Sequence, residues 1–149
     1  MVPEKNDYTS FSKIIWLKDA FYKTIVGGKE MSKKYMMIIT HSTDQPHRTC
    51  TAMGLASCLM VEGADVALFF MCDGAKLMRK GVAETIEGDN IAPVRDLMPI
   101  ILDGDPQLYV CKIDLKNLGI PEDELLDGVK IVTLPTISEF MLDRETLMC

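Results

Sequence analysis

The sequence is poor in the residues from which metal centres and disulfide frameworks are built. It has two histidines, His41 and His47, and five cysteines that occur at wide spacing without a Cys-x-x-Cys pair. A zinc site needs clustered ligands and a disulfide framework needs paired cysteines, so we expect neither. Free thiols of this kind are typical of a reducing compartment.

An excess of positive charge is also missing. The 16 Lys and Arg residues are outnumbered by 22 Asp and Glu residues, which gives a formal net charge of −6. Nucleic-acid binding depends on a basic surface that neutralises phosphates. We therefore expect no nucleic-acid partner.

Long apolar runs and nucleotide-binding motifs are absent as well. The longest apolar stretches are too short to span a bilayer, and the acidic start of the chain, with Glu4 and Asp7, does not have the pattern of a secretory signal. These features predict a soluble, cytoplasmic protein. Because the sequence lacks the glycine patterns of Rossmann and P-loop sites, we expect no bound cofactor. The hydroxyls of segment 40–43 leave a flavodoxin-style mononucleotide site open.

What the sequence does contain is an alternation of apolar runs with helical segments. Five apolar runs predict strands at residues 35–40, 66–71, 107–110, 129–134 and 145–149. Helical spacing between them, for example over 47–62, predicts an α/β fold with a mostly parallel sheet of about five strands. Residues 75–80 predict a short amphipathic helix, and the polar segment 82–92 predicts a mobile loop.

The first 32 residues have a different character from the remainder. Apolar residues over 9–26 gather on one side of a predicted amphipathic helix, which ends at Gly27 and Gly28. We divide the chain into an N-terminal helical extension and linker, residues 1–32, and an α/β domain, residues 33–149. Packing on its own domain or on a neighbouring subunit is the preferred role of this helix, and contact with a membrane surface or docking of a partner is the lesser alternative.

One cysteine occupies a position that suits chemistry. Cys111 follows the apolar run Leu108–Val110 and precedes a helical segment, so it is predicted at the carboxyl end of a strand, where open α/β sheets bind ligands. A helix N-terminus favours thiolate over thiol, which makes Cys111 a candidate nucleophile. The alternative is that Cys111 is a small buried hydrophobe.

Parallel strands place the loops that follow them along one edge of the sheet. That edge is predicted to gather side chains that could support a thiolate at Cys111: His41, His47, Arg48, Cys72 and Lys112. Cys72 is the weaker nucleophile candidate because the neighbouring Asp73 opposes its ionisation. Cys50 and Cys58 are expected in the core, and Cys149 is either available for exchange or inert.

In combination, several segments resemble the DsrE/DsrF-like sulfur-relay family. The segments are Met37-Ile38-Ile39-Thr40, Glu62-Gly63-Ala64-Asp65-Val66, Asp73-Gly74, Leu108-Tyr109-Val110-Cys111 and Gly119-Ile120. The resemblance covers roughly residues 34–149 and implies a flavodoxin-like, three-layer α/β sandwich. It implies that Cys111, at the end of the third strand, carries sulfur as a persulfide. It also implies trimers or hexamers that exchange sulfur with a carrier or acceptor protein.

The function predicted from the sequence is therefore that of a cytoplasmic sulfur carrier or sulfurtransferase. Cys111 would hold sulfur as a persulfide and pass it to an acceptor thiol. The alternative is a non-catalytic, flavodoxin-like binding subunit or oligomeric scaffold for a nucleotide, a flavin or a protein partner. In that alternative Cys111 is inert.

Overall fold

The computed structural model describes residues 32–149, so the helix predicted over 9–26 lies outside the described residues. Within residues 32–149 the chain forms five strands: β1 Lys34–Ile39, β2 Asp65–Phe70, β3 Gln107–Cys111, β4 Lys130–Val132 and β5 Glu145–Met148. Four α-helices connect them: α1 Pro46–Val61, α2 Val94–Asp103, α3 Lys112–Leu118 and α4 Leu134–Met141. Three short 3₁₀ helices lie at Cys72–Met78, Ala83–Thr85 and Glu122–Glu124.

The sheet is parallel throughout, which confirms the predicted fold class. Its strand order is β4-β3-β2-β1-β5, and β1 pairs with both β2 and β5. The central strands are continuous apolar runs because both of their faces are covered. In β1, for example, Met36 and Met37 point to opposite faces and both are fully buried.

The order of the strands decides which face each helix covers. The connections β1–β2, β2–β3 and β3–β4 all step in one direction across the sheet, whereas β4–β5 returns past β1. Right-handed crossovers therefore place α1, α2 and α3 on one face and α4 on the other. The two buried clusters follow this division, with Met53 and Leu97 in the larger one and Ile137 in the smaller one.

Two local predictions differ from the structure in detail. Residues 72–78 form a 3₁₀ helix that begins earlier than the predicted amphipathic helix at 75–80. The chain there passes directly over β1, since a Cβ on Gly74 would lie 2.0 Å from the carbonyl oxygen of Ile39. The predicted loop 82–92 contains the 3₁₀ turn Ala83–Thr85 and the buried Ile86. A single turn is too short to give a periodic apolar pattern.

An ion pair at the amino edge of the sheet fixes the returning strand β5. The side chain of Arg144, which is 7% exposed, donates to both carboxylate oxygens of Asp65 at 3.2 Å and to the carbonyl oxygen of Tyr35 at 3.2 Å. At the other end of β5, the Thr40 hydroxyl donates to the carbonyl oxygen of Cys149 at 2.7 Å. These contacts place Cys149 at the carboxyl edge. Among residues 32–149, no helix has the length and apolar character needed to cross a membrane.

Candidate functional site

The carboxyl edge of the sheet brings together the segments in which the sequence predicted chemistry. Cys111 is the last residue of β3, and Cys72 follows the end of β2 by two positions. His41 follows β1, and Cys149 follows β5. Because all five strands are parallel, these residues lie along one edge in the spatial order of their strands.

Cys111 sits where β3 passes directly into α3. Its backbone is extended, with φ −72° and ψ 122°, and it occupies the N-cap position of the helix. The residue is 3% exposed, and its side chain belongs to the smaller buried cluster together with Phe69 and Tyr109. The predicted position at a strand end and a helix start is therefore observed, but the thiol is enclosed.

The electrostatic surroundings of Cys111 differ from those predicted. Burial is the largest influence and raises the pKa of the Cys111 thiol, because a thiolate loses hydration there. The carboxylate of Asp114 raises this pKa further, while the backbone N–H groups of Asp114 and Ile113 lower it. The Cys111 side chain makes no capping hydrogen bond to α3, and the N–H groups lower the pKa by less than burial raises it. The helix N-terminus was expected to lower the pKa of this thiol, whereas the combined effect of its surroundings is to raise it.

Cys72 lies beside Cys111 and differs from it in exposure. It is exposed to solvent, and its backbone has φ 53°, a left-handed conformation that non-glycine residues rarely adopt. Its backbone N–H donates to Oδ2 of Asp114 at 2.7 Å. Burial, then the charges of Asp114, Cys111 and Asp73, raise the pKa of the Cys72 thiol. The predicted opposition of Asp73 is present, and Asp114 opposes ionisation more strongly.

Asp114 is the residue of this site that the sequence reasoning missed. It is the third residue of α3, counted from Lys112, where an acidic side chain often reaches back to an N-cap. Here the carboxylate instead reaches across to the backbone of Cys72, and it also influences the thiol of Cys111. The sequence feature that could have indicated it is an acidic residue three positions after a cysteine at a predicted strand end. We call Cys72, Cys111 and Asp114 the thiol cluster.

The predicted histidines have partners elsewhere along the edge. Nδ1 of His41 lies 2.7 Å from Oδ2 of Asp44, and the backbone N–H of Ser42 donates to Oδ1 of the same carboxylate at 2.8 Å. Burial opposes these two contacts, but together they hold the pKa of Asp44 below its ordinary value. His47 is exposed in the first turn of α1 and lies against Gly88.

The two predicted cations lie on different helices. Arg48 is exposed in α1, and its charge acts on the Cys149 thiol, whose pKa is nevertheless raised by burial. Lys112 is exposed at the start of α3, next to Cys111. It lines a groove of about 300 Å³ together with Ile113, Leu115, Lys116, Ile120, Glu122 and Ile131. Of the five predicted supporting residues, Cys72 is the one placed in the thiol cluster, through the hydrogen bond of its backbone N–H to Asp114.

The remaining cysteines separate into a buried and an exposed one. Cys50 is fully buried in α1, as predicted, but Cys58 in the same helix is exposed, so its predicted place in the core is wrong. Eight residues of helix rotate a side chain by about 80° from its starting direction, which carries Cys58 off the buried face. Within residues 32–149, no group of three or more His, Cys, Asp or Glu side chains is arranged to hold a metal ion.

Comparison with known proteins identifies relatives of the described domain. The sequence profile of the DsrE/DsrF-like family matches residues 33–149. The Methanocaldococcus jannaschii protein MJ0760 is 26% identical over 105 residues, which cover 70% of this chain and 38% of that protein. The Methanopyrus kandleri protein MK0008 is 21% identical over 112 residues, which cover 75% of this chain and 89% of that protein. The chain thus matches well under half of the length of the first of these relatives.

Two solved structures share the fold. The crystal structure of the ychN protein from E. coli superposes with a TM-score of 0.65 at 21% identity and covers 80% of this chain and all of its own. The structure of MTH1491 from Methanobacterium thermoautotrophicum, described as a protein of unknown function, superposes with a TM-score of 0.59 at 15% identity. That match covers 79% of this chain and 100% of the other. At these identities the likeness concerns the fold.

Proposed function

This chain belongs to the DsrE/DsrF-like family, and from that premise we propose that it is a sulfur carrier or sulfurtransferase. In this proposal Cys111 holds sulfur as a persulfide and passes it to the thiol of an acceptor protein. The observation that carries it is the position of Cys111, which closes β3 at the carboxyl edge and caps α3. Ligands of open α/β sheets bind at this edge.

The chemistry requires no resident cofactor. The Cys111 thiolate attacks the outer sulfur of a donor persulfide, the sulfur–sulfur bond of the donor breaks, and the donor leaves as a thiolate. The product is a persulfide on Cys111, and transfer to an acceptor thiolate repeats the same exchange. No net oxidation or reduction takes place, because one sulfur atom moves between two thiols.

The raised pKa of Cys111 sets the conditions for loading. A thiol whose pKa lies above the ordinary value is less ionised at neutral pH, and the thiolate is the reacting form. We therefore expect loading to accelerate as the pH rises through the alkaline range. The backbone N–H groups of Asp114 and Ile113 act in the opposite direction to burial and favour the charged form of this thiol.

Mass spectrometry after incubation with inorganic polysulfide tests the proposal. We expect an increase of about 32 Da, the mass of one sulfur atom, on the peptide that contains Cys111. The increase should disappear from that peptide in Cys111→Ser and persist in Cys58→Ser, which removes an exposed thiol from α1. Wild-type protein that takes up no sulfur on Cys111 would contradict the proposal.

A second candidate function is a non-catalytic binding or scaffold subunit. The observation that favours it is the enclosure of Cys111, which is 3% exposed and has a raised pKa, as inert structural cysteines do. Iodoacetamide alkylation discriminates the two functions. A Cys111 that remains unmodified while the protein is folded, together with bound flavin or nucleotide in the purified protein, would favour the binding subunit.

We also propose that the chain assembles into a trimer or hexamer, as the family resemblance implies. In the described part of the chain, large apolar side chains remain exposed near its end, with Leu142 at 88% and Met148 at 72%. Exposed apolar groups of this size are common at subunit contacts. Light scattering of the full chain gives the mass, and a monomer at micromolar concentration would contradict this assembly.

A further inference from the structure

The enclosure of Cys111 creates a problem of access for any sulfur carrier that uses it. A thiol can exchange with a second protein only if that protein's cysteine reaches its sulfur in line with the bond that breaks. Cys111 is 3% exposed and lies in a buried cluster with Phe69 and Tyr109, so a protein donor or acceptor does not reach it in this conformation. Cys72, by contrast, is exposed.

The two cysteines are neighbours through the pairing of β2 and β3. Phe70 pairs with Val110 in the parallel register, so Met71 follows opposite Cys111 and Cys72 is the next residue. Adjacent strands lie about 4.8 Å apart. Asp114 contacts the backbone of Cys72 at 2.7 Å and influences the thiol of Cys111, so one carboxylate spans both residues.

The backbone of Cys72 gives a further reason to assign it a role. Its φ of 53° lies in the left-handed region, which favours glycine. A purely structural position of this kind would be served better by glycine, since the side chain adds strain and is exposed to solvent. Strained residues of this type concentrate at functional sites.

We propose that Cys72 is the exchange thiol of this protein and Cys111 its store, so that sulfur enters and leaves through Cys72. This inference rests on the proposed function and deepens it. In the loading direction, the Cys72 thiolate takes the outer sulfur of a donor persulfide, and the donor leaves as a thiolate. Cys111 then attacks the outer sulfur on Cys72, the bond to the Cys72 sulfur breaks, and Cys72 takes up the proton that Cys111 releases. Unloading is the reverse, and neither direction needs an oxidant or a reductant.

A bulky donor exposes the difference between the two cysteines. The full chain is mixed with serum albumin that carries a persulfide on its free thiol, quenched at intervals by alkylation, and analysed peptide by peptide. In wild-type protein we expect sulfur on Cys72 first and on Cys111 later. In Cys111→Ser, sulfur should remain on Cys72, a readout that a merely structural role of Cys72 would not produce.

Removing the Cys72 thiol should block the transfer of sulfur from a protein donor to Cys111. In Cys72→Ser, loading of Cys111 by the albumin donor should fall about tenfold or more, since access limits exchange. Cys72→Gly suits the left-handed backbone and should show the same loss, which separates the chemical role from folding. The control Cys58→Ser removes another exposed thiol and should load at the wild-type rate.

Three results would overturn the relay. If Cys111 loads from albumin at the wild-type rate in both Cys72 variants, the relay is wrong and the sulfur-carrier function stands. If loaded wild-type protein instead releases sulfide and forms a Cys72–Cys111 disulfide, Cys72 resolves the persulfide rather than relaying it. If neither cysteine takes up sulfur from albumin or from inorganic polysulfide, the proposed function fails and the relay fails with it.

Discussion

The amino and carboxyl edges of the sheet differ in how their charged groups are partnered. At the amino edge, Arg144 and Asp65 meet as opposite charges with paired contacts at 3.2 Å. At the carboxyl edge, burial raises the pKa of the Cys72 and Cys111 thiols, and the carboxylate of Asp114 raises both further. The first arrangement stabilises the fold. The second restrains ionisation at two thiols, so the stabilising ion pair and the proposed chemistry occupy opposite edges of one sheet.

The largest expected effect comes from breaking the amino edge. Arg144→Met should lower the free energy of unfolding by about 2–3 kcal/mol. The substitution removes a largely buried guanidinium, so Asp65 and the carbonyl oxygen of Tyr35 lose this hydrogen-bond donor. The control is Lys34→Met, which removes an exposed pair with Asp143 and should cost about 0.5 kcal/mol or less. Urea denaturation measures both free energies of unfolding. Equal decreases in the two variants would contradict a special stabilising role of Arg144.

A slightly smaller effect is expected from a substitution at the carboxyl edge. Gly74→Ala should destabilise the fold by about 1–3 kcal/mol, because the added Cβ would lie 2.0 Å from the carbonyl oxygen of Ile39. Gly54→Ala is the matched control, since its Cβ meets nothing closer than Leu97 Cδ1 at 4.0 Å. Within α1 that change should stabilise by about 0.5–1 kcal/mol. Thermal unfolding of a Gly74→Ala protein at the wild-type temperature would contradict this close approach.

The smallest expected effect sharpens the electrostatic difference between the edges. Asp114→Asn removes the negative charge but keeps an oxygen that can accept from the Cys72 N–H. The pKa of each thiol should fall, so alkylation by iodoacetamide at pH 7 should accelerate about threefold to tenfold. In wild-type protein, the rate should rise with pH to a midpoint above the ordinary thiol value, and the variant's midpoint should lie lower. Superimposable pH profiles would show that Asp114 does not restrain these thiols.

Most of the fold was predictable because local patterns and chain order agree. The apolar runs of β1 and β2 and the helical spacing of α1 predicted elements that differ from the observed ones by about one residue at each end. The 3₁₀ helix Cys72–Met78 was not predictable in form, since its path is imposed by the contact of Gly74 with β1. The exposure of Cys58 was predictable, because its angular position on the helix differs from that of the buried Cys50.

The position of the candidate site was predictable from the sequence, whereas the burial of its thiol and the contacts of its side chains were not. Alternation of strands and helices was sufficient to place Cys111 at a carboxyl end, because parallel connections leave few topologies. Burial of that thiol depends on side chains from distant parts of the chain, such as Phe69 and Ile137, and no local pattern reports it. The same holds for Asp114, whose contact with Cys72 spans 42 residues.

The sequence by itself therefore determined the α/β class, the parallel sheet and the strand-end cysteine. These features follow from periodicity, connection length and handedness, which are local or nearly local properties. Only the tertiary structure decided that Cys111 is enclosed, that Cys72 is its exposed neighbour and that Asp114 spans the two. Burial and electrostatic influence depend on which segments meet in space, and pairing of β2 with β3 brings these three residues together.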